Sequence, residues 1–227
     1  MVEMTPDGTE SYRLGVAGDT YNTAVSLNRP LGECEVCYVT ALGDDTLSGR
    51  IVERMGAEGL DTGLVWRLAG RMPGLYMIET GPGGERRFHY WRSASAATSL
   101  LDDGRDGEIE GRLADFELIY LSGISLAILA PRARGRLLDI LEGLGIGSRI
   151  VFDPNYRPAL WLGPVEAAQA ARRMAGMAAR VLPPPAAARL MLGAGGATDR
   201  LSSYRPPGAR AVRVRHGARG PPPAAAP

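Results

Sequence analysis

The chain of 227 residues contains no lysine, only two cysteines and two histidines, and no long uninterrupted apolar segment. Two cysteines cannot form the disulfide framework of a small secreted domain, and this length buries a hydrophobic core without one. No run of about 18 uncharged apolar residues is present, so we expect no membrane-spanning helix and no membrane partner. The first residues have neither a basic region nor an apolar stretch, which is unlike a signal peptide. These absences favour a cytoplasmic protein.

Charge is distributed unevenly along the chain. Residues 1–182 carry 19 arginines against 24 acidic residues, whereas residues 183–227 carry seven arginines against Asp199 alone. The later segment also contains nine prolines and eleven alanines, so its composition predicts a poorly ordered tail, with a strand-like run at 211–214 as the exception. Because the body is acidic, we expect no nucleic-acid partner.

Short apolar segments alternate with amphipathic ones before residue 183. Apolar runs predict buried strands at 37–42, 118–121 and 149–152, and residues 181–182 could begin one more strand. Apolar residues at helical spacing predict helices over 47–58, 131–142 and 165–180. Segments 75–79 and 87–91 alternate polar and apolar residues around a Gly-Pro-Gly-Gly turn, which predicts an exposed hairpin. This alternation of strands and helices predicts an α/β fold with a parallel sheet covered by helices on both faces.

Polar residues at three places suggest a ligand site. Asp19 and Asn22 follow Gly18 at the start of a predicted helix, where they can hold sugar hydroxyls, although Asp19 can equally serve as a helix cap. On a strand, Phe88, Tyr90 and Arg92 share one face. Tyr90 and Arg92 can therefore offer a hydroxyl and a carboxylate-binding guanidinium to one ligand, while a charged edge strand is the alternative.

The third place is the segment Asp153, Asn155 and Arg157, directly after a buried strand. In open α/β sheets this carboxyl edge binds ligands, although an Asx-Pro turn explains the same residues without a function. Two other motifs indicate no site. Cys34 and Cys37 lack the two further ligands of a zinc site, and the glycine-rich segment 193–199 lacks the Lys-Ser/Thr of a phosphate-binding loop. We therefore predict no protein metal site.

The motifs occur in an order that resembles the ribokinase-like (PfkB) family of sugar kinases. The resemblance covers residues 1–182 and rests on the segments 18–24, 39–45, 73–80, 84–86, 90–92, 121–124 and 153–158. It implies a three-layer α/β/α domain over 1–182, with a mostly parallel central sheet and a small β-sheet lid formed by residues of about 75–80 and 86–92. Residues 183–227 then form the tail.

The resemblance implies an enzyme that moves the γ-phosphate of ATP, with Mg²⁺, onto a sugar hydroxyl. Within the family it is nearest to the branch acting on the acid sugar 2-keto-3-deoxygluconate, since an arginine pair suits an anionic substrate better than a neutral hexose. Matched by position, it implies substrate-binding roles for Gly18, Asp19, Asn22, Tyr76, Tyr90, Arg92 and Arg157, and nucleotide-binding roles for Asn155 and Arg215. Glu3 matches an acidic substrate contact, and the lid allows a homo-oligomer.

The sequence departs from the family at the catalytic loop. Family members carry an Asp-Thr-x-Ala/Gly-Ala/Gly-Gly-Asp segment whose amides form an anion hole and whose last Asp is the base, and this chain has no such segment. The family's first strand would also precede Met1, so we expect a chain incomplete at both ends and weakly active or inactive. The alternatives are a fructokinase-like enzyme, a non-catalytic sugar-binding protein, and a fragment that does not fold stably.

Overall fold

The structure is a computed structural model that describes residues 1–8, 10–31, 35–102, 104–192 and 211–212. It divides into two compact units. The first comprises residues 1–103 and 128–130, and the second comprises residues 104–127 and 131–227. Each unit is described separately.

The first unit combines a four-stranded mixed sheet with a parallel strand pair and two long helices. Its elements are β1 (Val2–Pro6), β2 (Tyr12–Val16), α1 (Asp19–Leu31), β3 (Thr40–Gly43), α2 (Thr46–Ala57), β4 (Val65–Leu68), β5 (Leu75–Thr80), β6 (Arg86–Trp91) and a 3₁₀ turn at Ala96–Ser99. The mixed sheet has the order β2-β1-β5-β6, and β3 pairs in parallel with β4.

The hairpin predicted from alternation and turn residues is confirmed as β5 and β6. The two strands pair antiparallel, with Tyr76 opposite Tyr90 and Ile78 opposite Phe88. The sequence pattern did not predict β1, which lies at the centre of the sheet, antiparallel to β2 and parallel to β5. Strand β2 is close to β1 in the chain, but β5 is about seventy residues away, so no local signal indicates the pairing of β1 with β5.

Helices α1 and α2 are amphipathic and contribute to one apolar core of the first unit. The cluster consists of Val2, Tyr21, Ala24, Val25, Leu42, Ile51, Met55 and Leu60. Helix α2 begins one residue before its predicted start, and its Ile51 and Met55 are the buried apolar residues of the predicted helical face. Burial of such side chains contributes about 1.5–3 kcal/mol each.

The second unit is built on a fully parallel sheet of order β10-β9-β8-β7. Its elements are α3 (Asp106–Asp115), β7 (Ile119–Ser122), α4 (Gly123–Ile128), α5 (Pro131–Gly143), β8 (Ile150–Asp153), α6 (Pro164–Met177), β9 (Arg180–Val181), α7 (Pro185–Leu192) and β10 (Ala211–Val212), with 3₁₀ turns at Gly147–Arg149 and Pro158–Leu160. The predicted α/β class and the helices are confirmed. Strand β8 is largely buried as predicted, but the first three residues of β7 are only half-buried and Leu118 is exposed, so the prediction of a buried strand there was wrong. Helix α6 ends before residue 180 because Ala178 is already extended on the way into β9.

The structure continues in helical form beyond residue 182, where composition predicted a poorly ordered tail. Helix α7 buries Ala187, Ala188 and Met191 and contacts α6. Alanine has the highest helix propensity, and a neighbouring helix supplies the apolar partner that composition alone does not reveal. Of the strand-like run at 211–214, the first two residues form β10, and Arg213 and Val214 lie outside the described residues.

Among the described residues, each helix is too short or too polar to cross a lipid bilayer.

Candidate active site

Three residues from neighbouring strands line up across one face of the mixed sheet. Glu3 of β1 is opposite Tyr76 of β5, which is opposite Tyr90 of β6. The Tyr76 hydroxyl donates a hydrogen bond to Glu3 Oε2. Burial, this hydrogen bond and the negative charge of Glu3 together raise the pKa of Tyr76. Tyr76 is therefore a neutral hydrogen-bond donor throughout the physiological pH range.

The aromatic rings beside this pair form a partly open surface that carries a positive charge. The ring centroid of Tyr76 lies 6.1 Å from that of Phe88 and 5.8 Å from that of Tyr90. The rings of Phe88 and Tyr90 stack with their centroids 6.3 Å apart. The guanidinium carbon of Arg92 lies 4.2 Å from the Tyr90 ring centroid. Phe88 and Tyr90 are 47% and 49% exposed. Such a surface can bind the C–H face of a sugar and, through Arg92, a carboxylate.

The alternation of β6 predicted that Phe88, Tyr90 and Arg92 share a face, and the ring contacts agree with this. Phe88 was not predicted as a site residue. Its position two residues before Tyr90 could have indicated this role, because residues two apart on a strand share a face.

The turn that starts α1 follows β2 directly. Gly18 has φ +150, a conformation that side-chain-bearing residues rarely adopt, and its carbonyl accepts a hydrogen bond from the Asn22 amide at 2.8 Å. Asp19 is the first residue of α1, where a negative charge is favourable for the helix dipole. The Asn22 side chain is exposed. Gly18, Asp19 and Asn22 are thus together on one helical turn, as predicted.

A half-buried tyrosine just before β3 supports this turn. The Tyr38 hydroxyl lies 2.6 Å from Thr20 Oγ1, and its ring meets Tyr21 edge-on at 6.4 Å. Burial raises the pKa of Tyr38 to about 12, even though the bond to Thr20 acts in the opposite direction. Tyr38 therefore anchors the first turn of α1 as a neutral group.

Asp45, one of the polar residues after β3, is used to cap α2. Its Oδ1 accepts from the Ser48 amide at 3.0 Å and its Oδ2 from the Ser48 hydroxyl at 2.6 Å. Although burial acts in the opposite direction, these hydrogen bonds hold the pKa of Asp45 below its usual value. Asp45 thus satisfies donors at the helix start rather than pointing to a ligand.

In the second unit, polar residues collect at the carboxyl edge of β7 and β8. Ser122 pairs in register with Asp153, and both are almost fully buried. Asp153 Oδ1 accepts from the Asn155 amide at 3.0 Å, and Asn155 has φ 31, a left-handed conformation. Such a backbone conformation costs about 1–3 kcal/mol, and residues that adopt it cluster at functional sites.

A close backbone approach holds this segment in place. A Cβ on Gly123, the first residue of α4, would lie 1.9 Å from the Pro154 carbonyl oxygen. The chain then passes Tyr156 to Arg157, whose side chain is exposed. Asn155 and Arg157 therefore share one loop at the sheet edge, as predicted, and Arg215 lies outside the described residues.

Within the described ranges, no three or more His, Cys, Asp or Glu residues cluster as a metal site. Mg²⁺ in phosphoryl transfer is usually held by one or two carboxylates together with phosphate oxygens and water. At the end of β8, Asp153 offers one carboxylate, next to Asn155, which fits such a site.

Comparison with known proteins gives a family match. The model of the pfkB family carbohydrate kinase matches residues 3–221. A 2-dehydro-3-deoxygluconokinase from Escherichia coli (strain K12) is 43% identical over 177 residues, covering 77% of this chain and 57% of that protein. One from Dickeya dadantii (strain 3937) is 44% identical over 173 residues, covering 75% of this chain and 56% of that protein. The chain thus spans little more than half the length of these relatives.

The fold also resembles that of a solved structure. The crystal structure of a PfkB protein from Polaromonas sp. JS666 aligns with a TM-score of 0.78 and 28% identity. The alignment covers 95% of this chain and 73% of that chain. The ribokinase-like α/β fold implied by the sequence motifs is confirmed.

Proposed function

The chain belongs to the pfkB family of carbohydrate kinases, and we propose that the protein transfers phosphate from ATP to a hydroxyl of an acid sugar, 2-keto-3-deoxygluconate. The observation that carries this proposal is the Arg92 guanidinium above Tyr90, beside the Tyr76–Glu3 pair. A guanidinium binds a carboxylate through two parallel hydrogen bonds, an interaction that a neutral hexose cannot make. The relatives named 2-dehydro-3-deoxygluconokinase support the same substrate.

The substrate-binding residues divide by chemistry. Gly18, Asp19 and Asn22 bind sugar hydroxyls through backbone, carboxylate and amide groups. Tyr76 and Tyr90 bind through their hydroxyls and ring faces. Arg92 and Arg157 supply positive charge for the carboxylate. Two arginines favour an anion over a neutral sugar because desolvating a guanidinium is offset only when an opposite charge replaces water.

For the nucleotide, we propose that Asn155 and Arg215 contact ATP phosphates. Mg²⁺ bound to those phosphates neutralises their charge, and catalysis of phosphoryl transfer consists mainly of positioning and charge stabilisation. The loop after β8 contributes to positioning, because the Asp153–Asn155 hydrogen bond sets its conformation before the ligand binds.

The test is calorimetric titration of the 227-residue chain with 2-keto-3-deoxygluconate and with fructose. We expect tighter binding of the acid sugar, and a loss of about 10–100-fold in affinity for Arg92→Met, which removes a charge-assisted contact. Arg87→Met is the matched control, since Arg87 is exposed on the same strand and belongs to the opposite face. Tighter binding of fructose, or an equal loss for Arg87→Met, would overturn the proposed specificity.

A second candidate is sugar-acid binding without turnover. It is favoured by the half-exposed rings of Phe88 and Tyr90 beside Arg92, a surface that can bind the acid sugar without transferring phosphate. A coupled ADP-release assay with ATP, Mg²⁺ and the acid sugar separates the two. Turnover that depends on the acid sugar supports the kinase, and calorimetric binding without ADP release supports the binding protein.

A further inference from the structure

We propose that Arg134 and Glu166 act as a pair of positioning residues that hold the segment after β8 and thereby place Arg157 for its anionic ligand. The inference rests on the function proposed above, which assigns Arg157 to the acid sugar. Neither Arg134 nor Glu166 belongs to a motif in the sequence. Their role follows from contacts within the second unit.

Arg134 is a buried cation in α5. Its side chain is 8% exposed, and its Nη2 donates to Glu166 Oε1. Its Nη1 donates to the Leu126 carbonyl of α4 at 3.3 Å. The guanidinium carbon lies 4.8 Å from the ring centroid of Trp161. One side chain therefore connects α4, α5, α6 and the segment that precedes α6.

Glu166, in the first turn of α6, holds the same segment through its other oxygen. Its Oε2 accepts from the Leu162 amide at 3.2 Å. The ion pair thus contacts two successive residues of the chain, the ring of Trp161 and the backbone of Leu162. Both residues lie between the 3₁₀ turn at Pro158–Leu160 and the start of α6.

A short turn transmits this anchoring to Arg157. The Leu160 amide donates to the Arg157 carbonyl at 3.0 Å, and the Trp161 amide donates to the Pro158 carbonyl at 3.2 Å. Pro158 restricts the backbone further because its ring fixes φ. Arg157 is thus four residues before Trp161 and is joined to it by a closed 3₁₀ turn. Fixing Trp161 and Leu162 fixes the backbone position of Arg157.

The burial of Arg134 in this half-buried pair also calls for a reason beyond stability. Replacing a buried ion pair by apolar side chains of similar volume is often neutral or stabilising. An ion pair has directional bonds, however, and an apolar cluster does not. An arginine that must meet a carboxylate at bidentate geometry needs such a defined support, because a displacement of about 1 Å can cost on the order of 100-fold in function.

The chain offers a matched control in Arg173 of α6. Arg173 Nη2 donates to Asp139 at 2.6 Å and to Glu142 at 2.7 Å, so it also joins α5 to α6 by ion pairs. Arg173→Met and Arg134→Met therefore remove the same charge between the same two helices. Of these two arginines, Arg134 lies against Trp161 in the segment before α6, whereas Arg173 pairs with acidic residues of α5.

The first measurement is hydrogen–deuterium exchange of the peptide that contains the amides of Leu160, Trp161 and Leu162. We expect Arg134→Met to raise their exchange at least about tenfold by releasing the segment, and Arg173→Met to leave it unchanged. Arg134→Lys keeps the charge but lacks the planar guanidinium, so its amide exchange rate should lie between those of Arg134→Met and Arg173→Met. If Arg134→Met does not fold, Glu166→Gln gives the same test, because it removes the charge and keeps an acceptor for Leu162.

The second measurement is calorimetric affinity for 2-keto-3-deoxygluconate in a double-mutant cycle. We expect Arg134→Met to weaken binding about tenfold in the wild-type background and to have no further effect in Arg157→Ala, because it acts through Arg157. Equal losses in both backgrounds, or unchanged affinity in Arg134→Met, would overturn the positioning role and leave the proposed function standing. A wild-type chain that binds no acid sugar overturns both.

Discussion

The hydroxyl of Tyr76 donates a hydrogen bond to the carboxylate of Glu3, its registered partner across β5 and β1. The two residues are 73 positions apart in the chain. Their contact ties the central strand of the mixed sheet to the hairpin that carries Tyr90 and Arg92. The proposed sugar-binding surface therefore has a fixed polar edge next to its aromatic rings.

Loss of this hydrogen bond should destabilise the protein. We expect Tyr76→Phe to lower the free energy of unfolding by about 1–3 kcal/mol, since Glu3 then loses its donor in a partly buried place. Glu3→Gln should cost less because its amide oxygen still accepts the bond. Urea denaturation followed by circular dichroism measures both. A larger loss for Glu3→Gln than for Tyr76→Phe would contradict this account.

Alkaline pH should weaken the folded state through Tyr38. Its pKa is raised to about 12 by burial, whereas an unfolded tyrosine titrates near about 10. Since the folded protein then holds the proton more tightly, this stabilisation is complete below pH 10 and is lost as the pH rises toward 12. Over the whole window the loss amounts to about 3 kcal/mol.

The measurement compares urea midpoints at pH 8 and pH 11. Tyr38→Phe should be somewhat less stable at pH 8, because it loses the Thr20 hydrogen bond, and should lose less stability on going to pH 11. Tyr12→Phe, at an exposed position of β2, is the matched control and should behave as wild type. An unchanged pH dependence in Tyr38→Phe would show that another group controls alkaline unfolding.

Adding a methyl group at Gly123 should disturb the loop after β8. The new Cβ would meet the Pro154 carbonyl oxygen at 1.9 Å, so backbone must move. We expect Gly123→Ala to destabilise the protein by about 1–3 kcal/mol and to weaken acid-sugar binding. Gly135→Ala in α5 meets no atom within 4 Å and should instead stabilise by about 0.5–1 kcal/mol. Thermal unfolding and calorimetry of both variants would show whether the effects have opposite signs.

Local patterns predicted those elements whose signal lies within the element itself. The alternation around the Gly-Pro-Gly-Gly turn predicted β5 and β6, and helical spacing predicted α2 and α5 to within a residue or so. The common face of Tyr90 and Arg92 also follows from strand periodicity alone. The joint position of Gly18, Asp19 and Asn22 needs only the geometry of one helical turn.

Elements that depend on distant partners were not predictable in this way. Helix α7 forms in an alanine- and proline-rich segment, where it contacts α6 and buries Ala187, Ala188 and Met191. Strand β1 takes its place only through pairing with β2 and β5. The burial of Arg134 against Glu166 has no sequence signal, since an arginine on an amphipathic helix is ordinarily solvent-exposed.

The sequence by itself determined the α/β class, the hairpin and the family, because periodicity and short motifs are properties of neighbouring residues. Only the tertiary structure decided that Glu3 meets Tyr76 and that Arg134 reaches Trp161, because such contacts require separate segments to pack together. Residue types indicate which chemical groups are available, and tertiary packing sets the distances between them.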